Sequence, residues 1–97
     1  MEEIFLKIKN KAQAGSLESN DIFMTVEPYD FGIDIKIESV VKNKFGKRIK
    51  KIIEETLKEL SVENIKVEIN DKGALDCTIK ARLETAILRA CQKGGID

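Results

Sequence analysis

The chain has 97 residues, 17 Lys+Arg against 17 Asp+Glu, one proline and no histidine, for a formal net charge of +0. Such a length supports one domain, and balanced charge argues against a strongly basic nucleic-acid module. Without imidazole there is no Ser-His-Asp or Cys-His nucleophile, no HExxH zinc site and no histidine general base, so composition points away from a self-sufficient enzyme.

In chain order, residues 12–17 and 22–27 flank Glu18-Ser19-Asn20-Asp21. Ser, Asn and Asp form turns because their short side chains bond nearby backbone groups and tolerate left-handed dihedrals. The pattern predicts a β-hairpin with Ser19 at or beside its tip and Ser16 along a strand. Pro28 and Gly32 bracket the next corner. Ile33, Ile35 and Ile37 then alternate with Asp34, Lys36 and Glu38, the period of a half-buried strand.

Ser39 is placed to cap a helix. Beyond it Val41, Phe45, Ile49, Ile52, Ile53, Leu57 and Leu60 recur at steps of three and four, an amphipathic helix of about five turns. Gly46 inside it costs about 1 kcal/mol relative to alanine, and close approach of another element is one reason to keep it.

After Ser61-Val62-Glu63-Asn64 the period of two returns at Ile65, Val67 and Ile69, and residues 70–73 read as a turn. Two periods then compete. Leu75, Cys77, Ile79, Ala81 and Leu83 alternate as in a strand, whereas Leu75, Ile79, Leu83 and Ile87 fit a helix. The β-branched pair Thr78-Ile79 and the polar Asp76, Lys80 and Arg82 favour a strand to about residue 82. Leu83, Ala86, Ile87 and Ala90 follow in a short final helix. The expected order is ββ–β–α–ββ–α. This is an α+β fold, an antiparallel sheet with one long amphipathic helix and a short C-terminal helix packed on one face. It is expected as a single domain over residues 1–97, with loose ends at 1–8 and 92–97.

Cys77 and Cys91 belong to neither a CxxC motif nor a metal-ligand cluster, and their apolar neighbours predict buried, reduced thiols. No metal site is expected. Residues 1–7 lack the basic and apolar regions of a signal peptide, and no stretch approaches the roughly 20 apolar residues of a membrane span. A cytoplasmic protein without membrane or nucleic-acid partners is the expectation.

Two features could carry chemistry. Ser19 stands at a turn; without a histidine it is no activated nucleophile, but an exposed serine on a rigid scaffold suits covalent attachment by a partner enzyme. On the residues alone an ordinary turn serine is the stronger reading. The second feature is the charge layout of the helix. Lys42, Lys44, Lys47, Arg48, Lys50 and Lys51 crowd its first half and Glu54, Glu55 and Glu59 follow, against the macrodipole. Three i,i+4 acid–base pairs recover only about 0.2–0.5 kcal/mol each. The cluster is either a solvated face or a contact for something anionic. Acid pairs such as Glu54-Glu55 and Asp71/Asp76 lack the pocket that general acid–base work requires, and no phosphate-binding glycine motif occurs.

The stretch Ala14-Gly15-Ser16-Leu17-Glu18-Ser19-Asn20-Asp21 resembles the attachment segment of the citrate lyase acyl carrier proteins, the gamma chains of that lyase. Ser39-Val40-Val41-Lys42-Asn43-Lys44-Phe45-Gly46 is similar to the family's helix entry. Asp71-Lys72-Gly73-Ala74-Leu75-Asp76-Cys77 and Ala81-Arg82-Leu83-Glu84 resemble two further segments, all in order across roughly residues 8–91. The departures are a few residues at the start and the tail Gly94-Gly95-Ile96-Asp97.

The resemblance implies that Ser19 carries a 2'-(5''-phosphoribosyl)-3'-dephospho-CoA arm through a phosphodiester, attached by a holo-synthase. It implies as partners an alpha acyltransferase subunit and a beta lyase subunit, which convert citrate to acetate and oxaloacetate on thioesters of that arm. The chain itself would be a non-catalytic carrier. Glu18 and Asp21 would repel the arm's phosphates, and Lys47, Arg48 and Lys51 would meet those phosphates or an acidic partner. The alternatives are a malonate decarboxylase-type carrier with the same kind of arm, and an unmodified α+β interaction module.

Overall fold

The structure, a computed structural model, describes residues 6–39 and 42–91, the side chains of 42–45 excepted. Its elements are β1 (Ala12–Gly15), β2 (Ile22–Glu27), β3 (Ile33–Ser39), α1 (Lys42–Glu59), β4 (Ile65–Asp71) and α2 (Asp76–Cys91). The four strands form one sheet in the order β1-β2-β4-β3. The β1/β2 and β2/β4 pairs are antiparallel, but β3/β4 is parallel, so the sheet is mixed and not the antiparallel sheet expected. The reason is α1: a helical crossover returns the chain to the end at which β3 began, and β4 must then run beside it in the same direction.

Alternation decides which face is covered. Ile22, Met24 and Val26 of β2 and Ile65, Val67 and Ile69 of β4 are buried. They pack in one core with Ile49, Ile53 and Leu57 of α1 and Ile79, Leu83, Ala86, Ile87 and Ala90 of α2. Both helices thus lie on one face. The opposite face carries Thr25, Lys36, Glu38, Glu68 and Asn70, the solvated side permitted to a sheet with helices on one layer only.

The strand expected over residues 75–82 is corrected: residues 76–82 open α2, which is 16 residues long and not short, and Leu75 directly precedes it. The buried positions 79, 83, 86, 87 and 90 follow the helical period, while Cys77 and Ala81, which a strand would have buried with them, are exposed. β1 and β2 need an apolar cover, and α2 packs on both. Tertiary packing therefore outweighs the β-propensity of Thr78-Ile79. The same change overturns the expected burial of Cys77; Cys91 is partly buried, and loss of solvent pushes its thiol pKa up.

The expected capping of α1 by Ser39 involves residues 40 and 41, which lie outside the described residues. Ser39 is the last residue of β3, and its hydroxyl donates to Asp71 Oδ2 at 3.0 Å. The expected turn at 70–73 shrinks to its second half, because β4 runs on through Asp71 and the chain reverses at Lys72-Gly73, where Gly73 has φ +98°. No described atom lies within 4 Å of where a Gly46 Cβ would project, so no close approach explains that glycine.

Residues 1–5 and 92–97 of the expected loose ends, and Val41 of the apolar stripe, lie outside the described residues. Residues 6–8 are held down instead: the Leu6 amide donates to the Ser61 carbonyl at 3.0 Å, and Ile8 is buried in the core. Among the described residues, no helix is long and apolar enough to cross a membrane and no group of three or more His, Cys, Asp or Glu residues is placed to hold a metal ion.

Candidate functional site

The β1/β2 ladder closes at Gly15 opposite Phe23, and residues 16–21 form the tip. Gly15 has φ +90°, and a Cβ there would lie 1.8 Å from the Ile22 carbonyl oxygen, so the strands can converge here only on glycine. The turn is completed by Asn20 at φ 67°, a conformation that asparagine adopts at lower cost than most residues.

The tip does not hang in solvent. The Asn20 amide donates to the Lys72 carbonyl at 2.8 Å, and the Lys72 amide donates to the Asp21 carbonyl at 2.9 Å, extending the β2/β4 pairing past Ile22 opposite Asp71. At Asp71, Oδ1 accepts the Ala74 amide at 3.0 Å and so shapes the connection into α2.

The Asp21 carboxylate is the hub. It accepts the Ser16 hydroxyl at 2.7 Å, the Ile22 amide at 2.7 Å, and the Arg82 guanidinium through Nε at 3.1 Å and Nη2 at 3.2 Å. Ser16 is therefore a turn residue whose side chain spans the hairpin, not a residue running along a strand. The hydroxyl of Ser16, the guanidinium of Arg82 and the Ile22 amide together lower the Asp21 pKa from 3.8 to about 2.

A carboxylate that ionises more readily when folded contributes stability above its ordinary pKa, and that contribution is lost as pH falls through the folded value. We expect acid titration of the unfolding midpoint to show a component between about pH 4 and pH 2 that disappears in Asp21→Asn. An identical acid limb in the two proteins would refute it.

Ser19 sits inside this frame, exposed, and no hydrogen bond to it is made among the described residues. Its neighbours are both pinned: the Asn20 amide to Lys72, and Glu18 by its amide on Ser16 Oγ at 3.3 Å and its carbonyl under the Asp21 amide at 3.1 Å. The result is a bare hydroxyl on a fixed platform.

The register Ile22–Asp71–Ser39 brings the ends of β3 and β4 to the level of this tip, so both helices begin at the Ser19 end of the sheet. There Arg48 Nε meets Asp76 Oδ1 at 3.1 Å, with both side chains largely exposed. Of the basic trio singled out in the sequence, Arg48 is thus held against the start of α2, whereas Lys47 and Lys51 are exposed on α1. Asp21, expected to fence off anions, is bound to Arg82 instead; Glu18 keeps an exposed side chain. Sequence reasoning misses Arg82 as a site residue because it stands 61 positions from Asp21. Its one signal is its place in the Ala-Arg-Leu-Glu segment.

The acyl carrier family model described as malonate decarboxylase delta subunit matches residues 9–90. The citrate lyase acyl carrier protein of Streptococcus mutans is 58% identical over 88 residues, covering 90% of this chain and 86% of that protein. The chain belongs to the citrate lyase acyl carrier protein family. The Lacticaseibacillus casei member is 48% identical over 95% of this chain and 91% of its own length. The Treponema denticola member is 48% identical over 91% of this chain and 100% of its own length. Among solved structures, a Pseudomonas malonate decarboxylase hetero-tetramer in complex with malonate contains a chain that superposes with a TM-score of 0.76 at 22% identity, covering 89% of each. That likeness supports the fold.

Proposed function

We propose that this acyl carrier is a subunit of a citrate lyase complex and that Ser19 bears a phosphoribosyl-dephospho-CoA arm through a phosphodiester. The observation that carries this reading is the exposed Ser19 hydroxyl, unbonded among the described residues, on an anchored tip within the segment that resembles the family's attachment site. The residues present suit such a group: Ser19 is exposed, so a long arm can leave the surface. When bound, the arm would supply a thiol to carry acetyl and citryl groups between an acyltransferase subunit and a lyase subunit.

The chain's own contribution is position. A tether keeps the acyl group at an effective concentration in the mM range near both partners. Attachment itself needs activation from the holo-synthase, since no histidine exists to deprotonate Ser19. The intact mass of the protein from its own host grown on citrate, with peptide mapping, tests this. A mass gain on the peptide containing Ser19 is expected; a bare serine there would favour an unmodified interaction module.

The description of the matching family model favours a second reading, a malonate decarboxylase-type carrier. Turnover of citrate against malonate with cognate subunits separates the two, and citrate is expected.

In the same reading the basic half of α1 faces the arm's phosphates or an acidic partner. Reversing Lys47, Arg48 and Lys51 to Glu should lower turnover of the reconstituted assembly about tenfold while the thermal midpoint stays near wild type, because these side chains are mostly solvated. Unaltered turnover and assembly would end the idea.

A further inference from the structure

Resting on the reading of Ser19 as the attachment point, we infer that Arg82 is a positioning residue, which acts through Asp21 to hold the loop that presents the Ser19 hydroxyl to the attaching enzyme. The six residues 16–21 lie beyond the β1/β2 ladder, and only Asn20 and Asp21 at its far end are held by backbone pairing, through Lys72. Arg82 is the one side chain from outside the hairpin that bonds this tip among the described residues; the contact from Lys72 is made by its backbone.

The bonds form a continuous relay. Arg82 donates twice to Asp21, Ser16 donates to Asp21, Glu18 donates its amide to Ser16, and Asp21 donates its own amide back to Glu18. The relay ends on Glu18, the residue before Ser19, and no link ends on Ser19 itself. The anchor is rigid, because Ile79 and Leu83 on the adjoining face of α2 are fully buried. A guanidinium is well matched to this role, since its planar fork fixes the carboxylate in orientation as well as distance, which an ammonium on a flexible stem does not. A loop that spends most of its time away from the presenting conformation reacts more slowly by the fraction of time it is competent.

The test uses the unmodified full chain, the attaching enzyme and its activated arm donor. Arg82→Met keeps the aliphatic stem and loses the fork. We expect its attachment kcat to fall roughly tenfold or more with KM within about twofold, and Arg82→Lys to recover part of the loss. If Arg82 acts through Asp21, the double variant with Asp21→Asn is no slower than Asp21→Asn alone.

Amide hydrogen exchange provides a readout independent of the arm. Residues 18–21 should exchange faster in Arg82→Met while β2, β4 and α2 keep their protection. Wild-type attachment kinetics in Arg82→Met overturn the inference, as do additive losses in the double variant. Should Arg82→Met not fold, Arg82→Lys with unchanged kinetics and unchanged loop exchange overturns it. Failure of the wild-type chain to accept an arm sinks the carrier reading instead, so the two failures are distinct.

Discussion

Ser19→Ala is expected to abolish arm attachment and to reduce oxaloacetate formation by a reconstituted assembly about 1,000-fold or more, to the background without carrier. The size of the effect follows from the division of labour. If the acyl group travels on an arm rooted at one oxygen, removing that oxygen removes the tether altogether, and no neighbouring hydroxyl replaces it. The nearest candidate, Ser16, is engaged with the Asp21 carboxylate at 2.7 Å and with the Glu18 amide, so it is neither exposed nor free to be modified in Ser19's place.

The same substitution should leave the fold intact. Ser19 is exposed and contributes no hydrogen bond among the described residues, and such surface changes usually fall within about 0.5 kcal/mol. Intact mass, a thermal melt and oxaloacetate assay on one preparation therefore separate loss of function from loss of structure. Oxaloacetate at the normal pace from a stably folded Ser19→Ala assembly would remove the carrier account.

Gly15→Ala should be the most damaging small change near the site. At φ +90° any side chain is strained, by about 1–3 kcal/mol, and here the added Cβ would also meet the Ile22 carbonyl oxygen at 1.8 Å. Backbone must move to relieve that contact, which adds about 1–3 kcal/mol, for a total of about 2–6 kcal/mol, centred near 4. For a domain of this size the unfolding midpoint would drop by roughly 15 °C or more.

Gly46→Ala is the matched control, because Gly46 lies in α1 with no described atom within 4 Å of the added methyl. Alanine there should stabilise by about 0.5–1 kcal/mol. A Gly15→Ala melt indistinguishable from wild type would show that the hairpin closes differently.

The fate of individual residues explains how much is legible in the sequence. The Ser19 tip is readable because Glu18-Ser19-Asn20-Asp21 is turn chemistry that acts over neighbouring residues. β3 and β4 are readable from Ile33, Ile35, Ile37 and from Ile65, Val67, Ile69, since a period of two marks one apolar face, which is fully buried in β4 and only partly in β3, where Ile33 is exposed. The direction of pairing is not, because alternation says which face is inward and nothing of which end comes first. Residues 75–82 mislead because Leu75, Ile79 and Leu83 are spaced by four, a multiple of two and also close to one helical turn. The bond from Ser39 to Asp71, 32 positions away, is not legible either, because a local pattern cannot name a partner on another strand.

By itself the sequence determined the local matters: an amphipathic α1, two alternating strands, a turn with Ser19 upon it and, through its motifs, membership in a carrier family. Only the tertiary structure decided that β4 lies parallel to β3, that α2 covers β1 and β2, and that Arg82 grips Asp21. Those outcomes depend on which distant surfaces need covering and which distant charges meet. Short-range periodicity and turn preference hold no information about either.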